Sequence, residues 1–194
     1  MSSETPSSRA EQAVRAAVEV LGEKGAAGLT HRAVDRHAGL PEGSTSNHFR
    51  TRGALVLAIC QYLTEHDLRA LYQASQRFRG DGELTPDAAA KRLVEIIQRW
   101  TNTEAVLTAA RLELFLIAHR DPAVAEKLAA VRRTFAARSR EWLEQMAPGS
   151  GEHTLTVMAL VEGLTSNQLL HQSGRMPKRE VEAAIRLVLE SIKG

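Results

Sequence analysis

The sequence predicts an all-α protein of about nine helices. Apolar residues recur three and four positions apart, and the helix-start signals Thr85-Pro86 and Asp121-Pro122 punctuate the chain. No alternating Val, Ile or Tyr run bounded by turn residues occurs, so no strands are expected. With 194 residues, 43% hydrophobic and only 4% aromatic, the chain can bury one or two helical cores built mostly from Ala, Leu and Val.

Residues typical of helix starts and helix ends predict the bounds of each helix along the chain. Residues 1–8, rich in Ser and Thr, predict a mobile arm, and the first helix then carries Ala13, Val14, Ala17, Val18 and Leu21 at helical spacing. Two short helices follow within residues 30–50, and Thr51 caps a long helix that runs through Phe78 before the break at Gly80-Asp81-Gly82-Glu83. The remaining predicted helices span residues 85–101, 103–119, 122–146, 153–172 and 178–192, with Pro148-Gly149-Ser150-Gly151 and residues 173–177 as breaks.

The segment from Leu29 to Leu55 is typical of two short helices around a tight turn. Thr30 is a good N-cap, Gly39 can adopt a left-handed conformation, and Pro41 is expected to start the second helix with its φ already set. The second helix would present small polar side chains and so fit a DNA major groove. These residues are Gly43, Ser44, Thr45, Ser46, Asn47 and His48.

This segment resembles the TetR family of bacterial transcriptional regulators. Ala38-Gly39-Leu40 is similar to the family's Ala-Gly-Val turn, Gly43-Ser44 to its Gly-Thr, His48-Phe49 to its His-Phe, and Arg52 with Leu55 to its Lys-x-x-Leu. The resemblance in motif covers about the first third of the chain, in order and without gaps. Beyond it, Glu162-Gly163-Leu164 is similar to an Asp-Gly-Leu of many members.

Two positions depart from the family pattern. Ser46 stands where a phosphate-contacting Tyr is common, so the phosphate contact there should be weaker or differently made. Glu42 stands where many members have Lys. A glutamate would repel phosphate but could accept a hydrogen bond from cytosine N4; alternatively, it complements the dipole of the following helix from its first turn.

The resemblance implies an architecture and a set of partners. After the flexible arm at 1–8, a three-helix helix-turn-helix DNA-binding domain at 9–55 would be joined by the long helix to a ligand-binding and dimerisation bundle at 56–194. It implies a homodimeric repressor that binds a palindromic DNA operator and is released by a small-molecule effector. No enzymatic activity, cofactor or membrane partner is expected.

Bulk charge does not identify a DNA-binding protein here, because the net charge is +2 and the first 55 residues balance seven basic against six acidic residues. Contacts with DNA must therefore come from basic and polar residues placed locally beside the recognition helix. We expect phosphate contacts from Thr30, Arg50, Thr51 and Arg52, supported nearby by Arg32 and Arg36. We expect base contacts from Ser44, Thr45, Ser46 and Asn47, with Glu42 as a further candidate and His48 at the boundary.

The central helices would enclose the effector site. Trp100, Arg111, Phe115 and Phe135 combine rings with an ionisable group, as ligand sites often do. The scarcity of other aromatic residues to fill the core nevertheless favours core positions for Trp100 and Phe135. Arg111 and Glu113 are two positions apart and cannot share a helix face, so whether Arg111 faces the site stays open. Leu, Ile, Val and Phe dominate these helices, which favours an apolar or amphipathic ligand.

The last two helices are the candidate dimer interface. Their apolar stripes could be satisfied within one subunit, but a palindrome requires a two-fold partner, and Gly163 would let another helix approach closely. The predicted interface residues are Val157, Leu160, Val161, Gly163, Leu164, Val181, Ile185, Val188 and Leu189.

Other classes of protein have weaker support. Cys60 is the single cysteine and cannot form an internal disulfide, and no signal peptide or apolar run near 18 residues is found, so a cytoplasmic location is expected. His31, His37 and His48 lack the i, i+4 spacing of helical metal ligands, so no metal is expected. The rival interpretation is a helical small-molecule-binding or enzymatic bundle without sequence-specific DNA binding.

Overall fold

The computed structural model describes residues 8–78, 85–146 and 149–192. Within these ranges the chain forms nine α-helices, two short 3₁₀ turns and no strand, which confirms the all-α prediction. The helices are α1 (Arg9–Gly28), α2 (His31–Ala38), α3 (Ser44–His48), α4 (Arg52–Phe78), α5 (Pro86–Thr101), α6 (Ala105–Ala118), α7 (Pro122–Met146), α8 (Thr154–Leu170) and α9 (Lys178–Ser191).

Local capping explains where several helices begin. The hydroxyls of Thr30 and Thr85 accept the backbone N–H groups three residues ahead, and Asp121 accepts those of Ala123 and Val124. Ser8 and Glu11 form a reciprocal capping box at the start of α1. Residues 1–7 of the predicted arm and the predicted break at residues 80–83 lie outside the described residues.

The chain divides into two compact units. The first comprises residues 1–66 and 106–130, and the second comprises residues 67–105 and 131–194. The first unit therefore contains most of α6 and the first part of α7 together with the helix-turn-helix segment. The functional limits of 9–55 and 56–194 stay a prediction.

The core of the first unit is formed by apolar residues of α1, α2, α4 and α6. Leu21, Val34 and Ile59 are completely buried, and Leu114 of α6 is 1% exposed. Each such side chain contributes roughly 1.5–3 kcal/mol of burial free energy relative to an exposed position. The short helices α2 and α3 pack against α1 and against each other, and depend on this packing for their stability rather than on their own propensity.

The core of the second unit is formed mainly by α5, α8 and α9, with Leu143 of α7. Six residues predicted for a dimer interface are buried in this core, and the prediction is corrected for them: Val157, Val161, Leu164, Val181, Ile185 and Leu189. Leu160 and Val188 are half-buried and pack against the same core, whereas Gly163 is exposed. The two stripes fill one subunit because α5 packs against both helices.

None of the helices in the described ranges carries an apolar stretch long enough to cross a bilayer.

Candidate nucleic-acid interface

The turn between α2 and α3 is set by two glycines. Gly39 (φ 64°) and Gly43 (φ 91°) adopt left-handed conformations that favour glycine. The helix α3 begins at Ser44 and not at Pro41, because residues 41–44 form a turn in which the Ser44 N–H donates to the Pro41 carbonyl at 3.1 Å. Glu42 thus precedes the helix, and the interpretation that placed it in the first helical turn is corrected.

Asp35 of α2 holds the start of α3. Its carboxylate is 3% exposed and accepts hydrogen bonds from the N–H groups of Gly43 and Thr45, both at 2.8 Å, and from the Thr45 hydroxyl at 2.5 Å. Burial raises the pKa of Asp35, but these hydrogen bonds outweigh it and hold the pKa below its usual value. A buried, ionised carboxylate thus fixes the angle between the two helices.

Asp35 was not among the site residues predicted from the sequence. Its position in the sequence was the available signal. Asp35 directly follows the core residue Val34 and lies three positions before the inward-facing Ala38. A carboxylate therefore occurs on the buried face of α2, which should be apolar.

The prediction that Thr45 contacts a base is corrected. Thr45 is completely buried, and its hydroxyl is bound to Asp35. The five-residue helix α3 has to anchor itself on α2, and Thr45 is the side chain that faces inward to do so.

The outward side of α3 carries Ser46, Asn47 and His48, all exposed, with Ser44 half-buried beside them. The hydroxyls of Ser44 and Ser46 donate to the backbone carbonyls of Pro41 and Gly43 at 2.6 and 2.9 Å, so their oxygens remain available as acceptors. Within the described ranges the Asn47 side chain makes no hydrogen bond. Its amide is thus free to donate and accept at a base edge.

The end of α3 is fixed by His31 of α2. The ring Nε2 of His31 lies 2.6 Å from the carbonyl oxygen of Phe49 and donates to it, because a carbonyl can only accept. From the sequence no metal was expected at His31, but its partner Phe49 was not predicted.

The predicted phosphate-contacting residues differ in their surroundings. Thr30 and Thr51 are exposed N-caps whose oxygens accept a backbone N–H, which leaves the hydroxyl proton free to donate to a phosphate. Arg50 is exposed and forms no ion pair with any described residue. Arg52 instead donates to the Ala26 carbonyl at 2.7 Å, and so ties α4 to the end of α1.

Glu42 and Arg32 form an exposed ion pair, with 2.9 Å between Oε1 and Nε. Such pairs contribute little to stability, so the contact can be exchanged for another partner.

The predicted effector residues are divided between the two units. In the first unit, Phe115 is 49% exposed, and the half-buried Arg111 donates to the Thr108 hydroxyl at 3.2 Å and lies 3.5 Å from Nδ1 of His66. In the second unit, Trp100 is half-buried against the core, and Phe135 is half-buried. The alternative that Trp100 belongs to the core agrees with this placement.

A short polar helix braced by a buried carboxylate and flanked by exposed arginine and threonine side chains defines a helix-turn-helix DNA-binding protein. Residues 13–59 match the family model for bacterial regulatory proteins of the tetR family, and residues 84–191 match the model for the tetracyclin repressor-like C-terminal domain. Since the second match covers more than half of the chain, the protein belongs to the TetR family of transcriptional regulators.

Solved structures of the same family are similar over nearly the whole chain. A TetR-family member from Streptomyces coelicolor A3 is 27% identical, with a TM-score of 0.70, and the match covers 96% of this chain and 98% of that one. The multidrug binding protein EbrR complexed with ethidium is 26% identical, with a TM-score of 0.70 and coverage of 97% and 99%. A putative TetR-family regulator from Rhodococcus sp. shares the fold at 21% identity, with a TM-score of 0.75 and coverage of 97% and 100%. No curated protein matches the chain.

Proposed function

We propose that the protein is a homodimeric repressor that binds a palindromic operator and leaves it when a small-molecule effector binds. The observation that carries this proposal is the exposed polar side of α3, held on α2 by the buried Asp35. The two recognition helices of a dimer would enter successive major grooves about 34–36 Å apart.

The roles at the operator follow from exposure. Asn47 and the Ser44 and Ser46 oxygens meet base edges, with His48 at the boundary, whereas Thr30, Arg50 and Thr51 hold phosphates. Glu42 reaches cytosine only by leaving Arg32, which ranks it below Asn47 as a base contact. Arg52 reaches a phosphate only by releasing the Ala26 carbonyl, so its first role is to position α1 and α4.

The dimer interface lies on the outward face of α8 and α9. On α8, Leu155, Ala159, Gly163 and Leu170 share one face, opposite the buried stripe that contains Val161. Leu155 and Leu170 are 61% and 64% exposed, and apart from the backbone of α8 itself and the two chain neighbours, no atom lies within 4 Å of a Cβ placed on Gly163. A second copy can therefore pack closely at Gly163.

The outward face of α9 extends this surface. Leu187 is 69% exposed on the side of α9 opposite the buried Ile185 and Leu189. Exposed leucines on both helices are expected of a face that a copy of the chain covers. With Leu160, Gly163 and Val188 kept from the sequence-based set, the interface becomes a four-helix bundle of two α8–α9 pairs.

A small-molecule effector is supported by family membership and by the ligand-bound structures of EbrR, which include complexes with ethidium, malachite green and proflavin. The ligand-binding roles of Trp100, Arg111, Phe115 and Phe135 stay separate predictions, each for a residue within its own unit. The effector must bind the DNA-incompetent state more tightly, and by linkage the operator must weaken effector binding by the same factor.

The test is a gel-shift titration of the full chain against its own upstream DNA at several salt concentrations. We expect a protected palindrome and an affinity that falls steeply with salt, because several phosphate contacts release counterions. Equal affinity for a scrambled sequence of the same length would favour the rival class, a helical bundle without operator recognition. Calorimetry of an identified effector with and without saturating operator then measures the coupling; unchanged effector affinity would overturn the switching proposal.

A further inference from the structure

A cavity of about 320 Å³ lies in the second unit, between the C-terminal half of α5, the end of α8 and the start of α9. This volume is at the lower end of the range for small-molecule sites, roughly 300–1,000 Å³. The cavity has an apolar floor, since Val94, Ile97 and Val181 line it and are exposed by 1%, 2% and 3%. The floor belongs to the packed core and is therefore pre-formed.

One wall of the cavity is held in place by Gln168. This side chain is 8% exposed, and its amide donates to the Met176 carbonyl at 2.9 Å, which fixes the segment between α8 and α9. Thr101, another lining residue, donates its hydroxyl to the Ile97 carbonyl within α5. The Gln168 amide and the Thr101 hydroxyl are thus both bonded to backbone carbonyls.

The mouth of the cavity is positively charged. Arg175 and Lys178 line it, both are exposed, and neither forms an ion pair with any residue that the structure describes. None of the described residues that line the cavity is acidic. An apolar floor below two cations fits a molecule with an apolar body and one negatively charged end.

We propose that this cavity binds a small organic anion, a carboxylate or sulfonate on an apolar body, with the anion at Arg175 and Lys178 and the body against Val94, Ile97 and Val181. None of the four proposed effector residues lines this cavity, so the site goes beyond the proposed function. Its ligand class follows from charge and burial within the second unit alone.

Fluorescence titration of the full chain with a matched pair of probes tests the proposal. Anilinonaphthalene sulfonate carries the anion, and phenylnaphthylamine has the same rings without it. We expect saturable sulfonate binding that weakens about five-fold or more when Arg175→Gln and Lys178→Gln are combined, because partly exposed charge pairs each contribute modestly. Phenylnaphthylamine binding should change by less than about two-fold, since apolar contacts are retained.

Two further variants complete the design. Arg133→Gln removes another exposed arginine of the second unit that forms no ion pair with a described residue and does not line the cavity, so it should leave sulfonate binding unchanged. Gln98→Trp fills the cavity from a half-buried lining position and should weaken binding of both probes. Thermal unfolding of each variant confirms that it is folded.

An unchanged sulfonate affinity in the double variant, an equal loss in Arg133→Gln, or full binding of both probes by a folded Gln98→Trp variant would overturn the proposal. Decanoate should displace the sulfonate probe and decylamine should not; displacement by decylamine alone would contradict the assigned charge. These measurements contain no DNA, so their failure and the failure of operator binding are separate results.

Discussion

The backbone N–H of Ala26 donates a 2.9 Å hydrogen bond to Oε2 of Glu113, 87 residues further along the chain. The carbonyl of Ala26 accepts a 2.7 Å bond from the Arg52 guanidinium. Gly25, with φ 67° and ψ −178°, interrupts α1 just before this residue. A carboxylate from α6 and a guanidinium from α4 thus hold the last turn of α1 inside the first unit.

Replacing Glu113 by Ala should lower the free energy of unfolding by about 1–2 kcal/mol, because the partly buried Ala26 N–H loses its acceptor. Urea unfolding followed by circular dichroism measures the change. Glu126→Ala is the matched control, since Glu126 is an exposed carboxylate of the same unit that has no partner among described residues. Equal losses in the two variants would mean that the Glu113 bond contributes nothing.

Replacing Gly25 by Ala should cost about 1–3 kcal/mol, because its φ and ψ lie in a region that is essentially restricted to glycine. Space is not the cause, since a Cβ there would meet Glu113 Oε1 at an ordinary 3.5 Å. Gly53→Ala provides the comparison: Gly53 has no positive φ, its nearest neighbour lies at 3.9 Å, and alanine should be neutral or stabilising by up to about 1 kcal/mol. A stabilised Gly25→Ala variant in thermal unfolding would contradict the assigned conformation.

Asp35 should make the stability of the first unit sensitive to acid. Its pKa in the folded protein is lowered from 3.8, so its contribution is complete above that unfolded-state value and is lost as the pH falls through the folded pKa. Asp35→Asn should cost roughly 1–3 kcal/mol at neutral pH, since the amide cannot accept all three bonds.

The measurement for Asp35 is the difference in unfolding free energy between wild type and Asp35→Asn as a function of pH. We expect a constant difference above about pH 5 and a shrinking one below about pH 4. Glu23→Gln, at an exposed position in α1, is the control variant. A difference independent of pH down to acid unfolding would show that the ionised form of Asp35 is not the stabilising one.

At the operator, Asn47→Ala should relax specificity at one base-pair position by roughly 1–3 kcal/mol, because a bidentate base contact is lost. Arg50→Ala should weaken all operator sequences about equally and reduce the salt slope by about 1, because it removes a phosphate contact. Titration of both variants against a set of single-base operator changes distinguishes the roles. Identical profiles for the two variants would show that Asn47 and Arg50 do not have these two different roles.

A charge on the proposed dimer face should separate the subunits. Leu187→Glu buries a carboxylate at the contact between two copies and should give monomers by sedimentation equilibrium, with much weaker operator binding. Leu116→Glu, a similar substitution at a leucine that is 61% exposed in the first unit, should stay dimeric. A dimeric Leu187→Glu variant would place the interface elsewhere.

The sequence was sufficient for features with local causes. Thr85-Pro86 predicted the start of α5, and Asp121-Pro122 that of α7, because a cap and a proline act within one helical turn. Gly39 predicted the left-handed turn after α2 for the same reason. By contrast, the start of α3 was misplaced at Pro41, because the bonds that fix it come from Asp35, eight and ten residues earlier.

Tertiary packing decided which face of each helix is available for a partner. The helix α8 carries apolar side chains on two opposite sides, with Val161 inward and Leu155 outward, so periodicity alone could not tell core from interface. Likewise, Thr45 and Asn47 are both small polar residues of α3, but the first is buried on Asp35 and the second faces outward. Sequence spacing determines which residues share a face; the neighbouring helices determine whether that face is buried, because burial depends on contacts far apart in the chain.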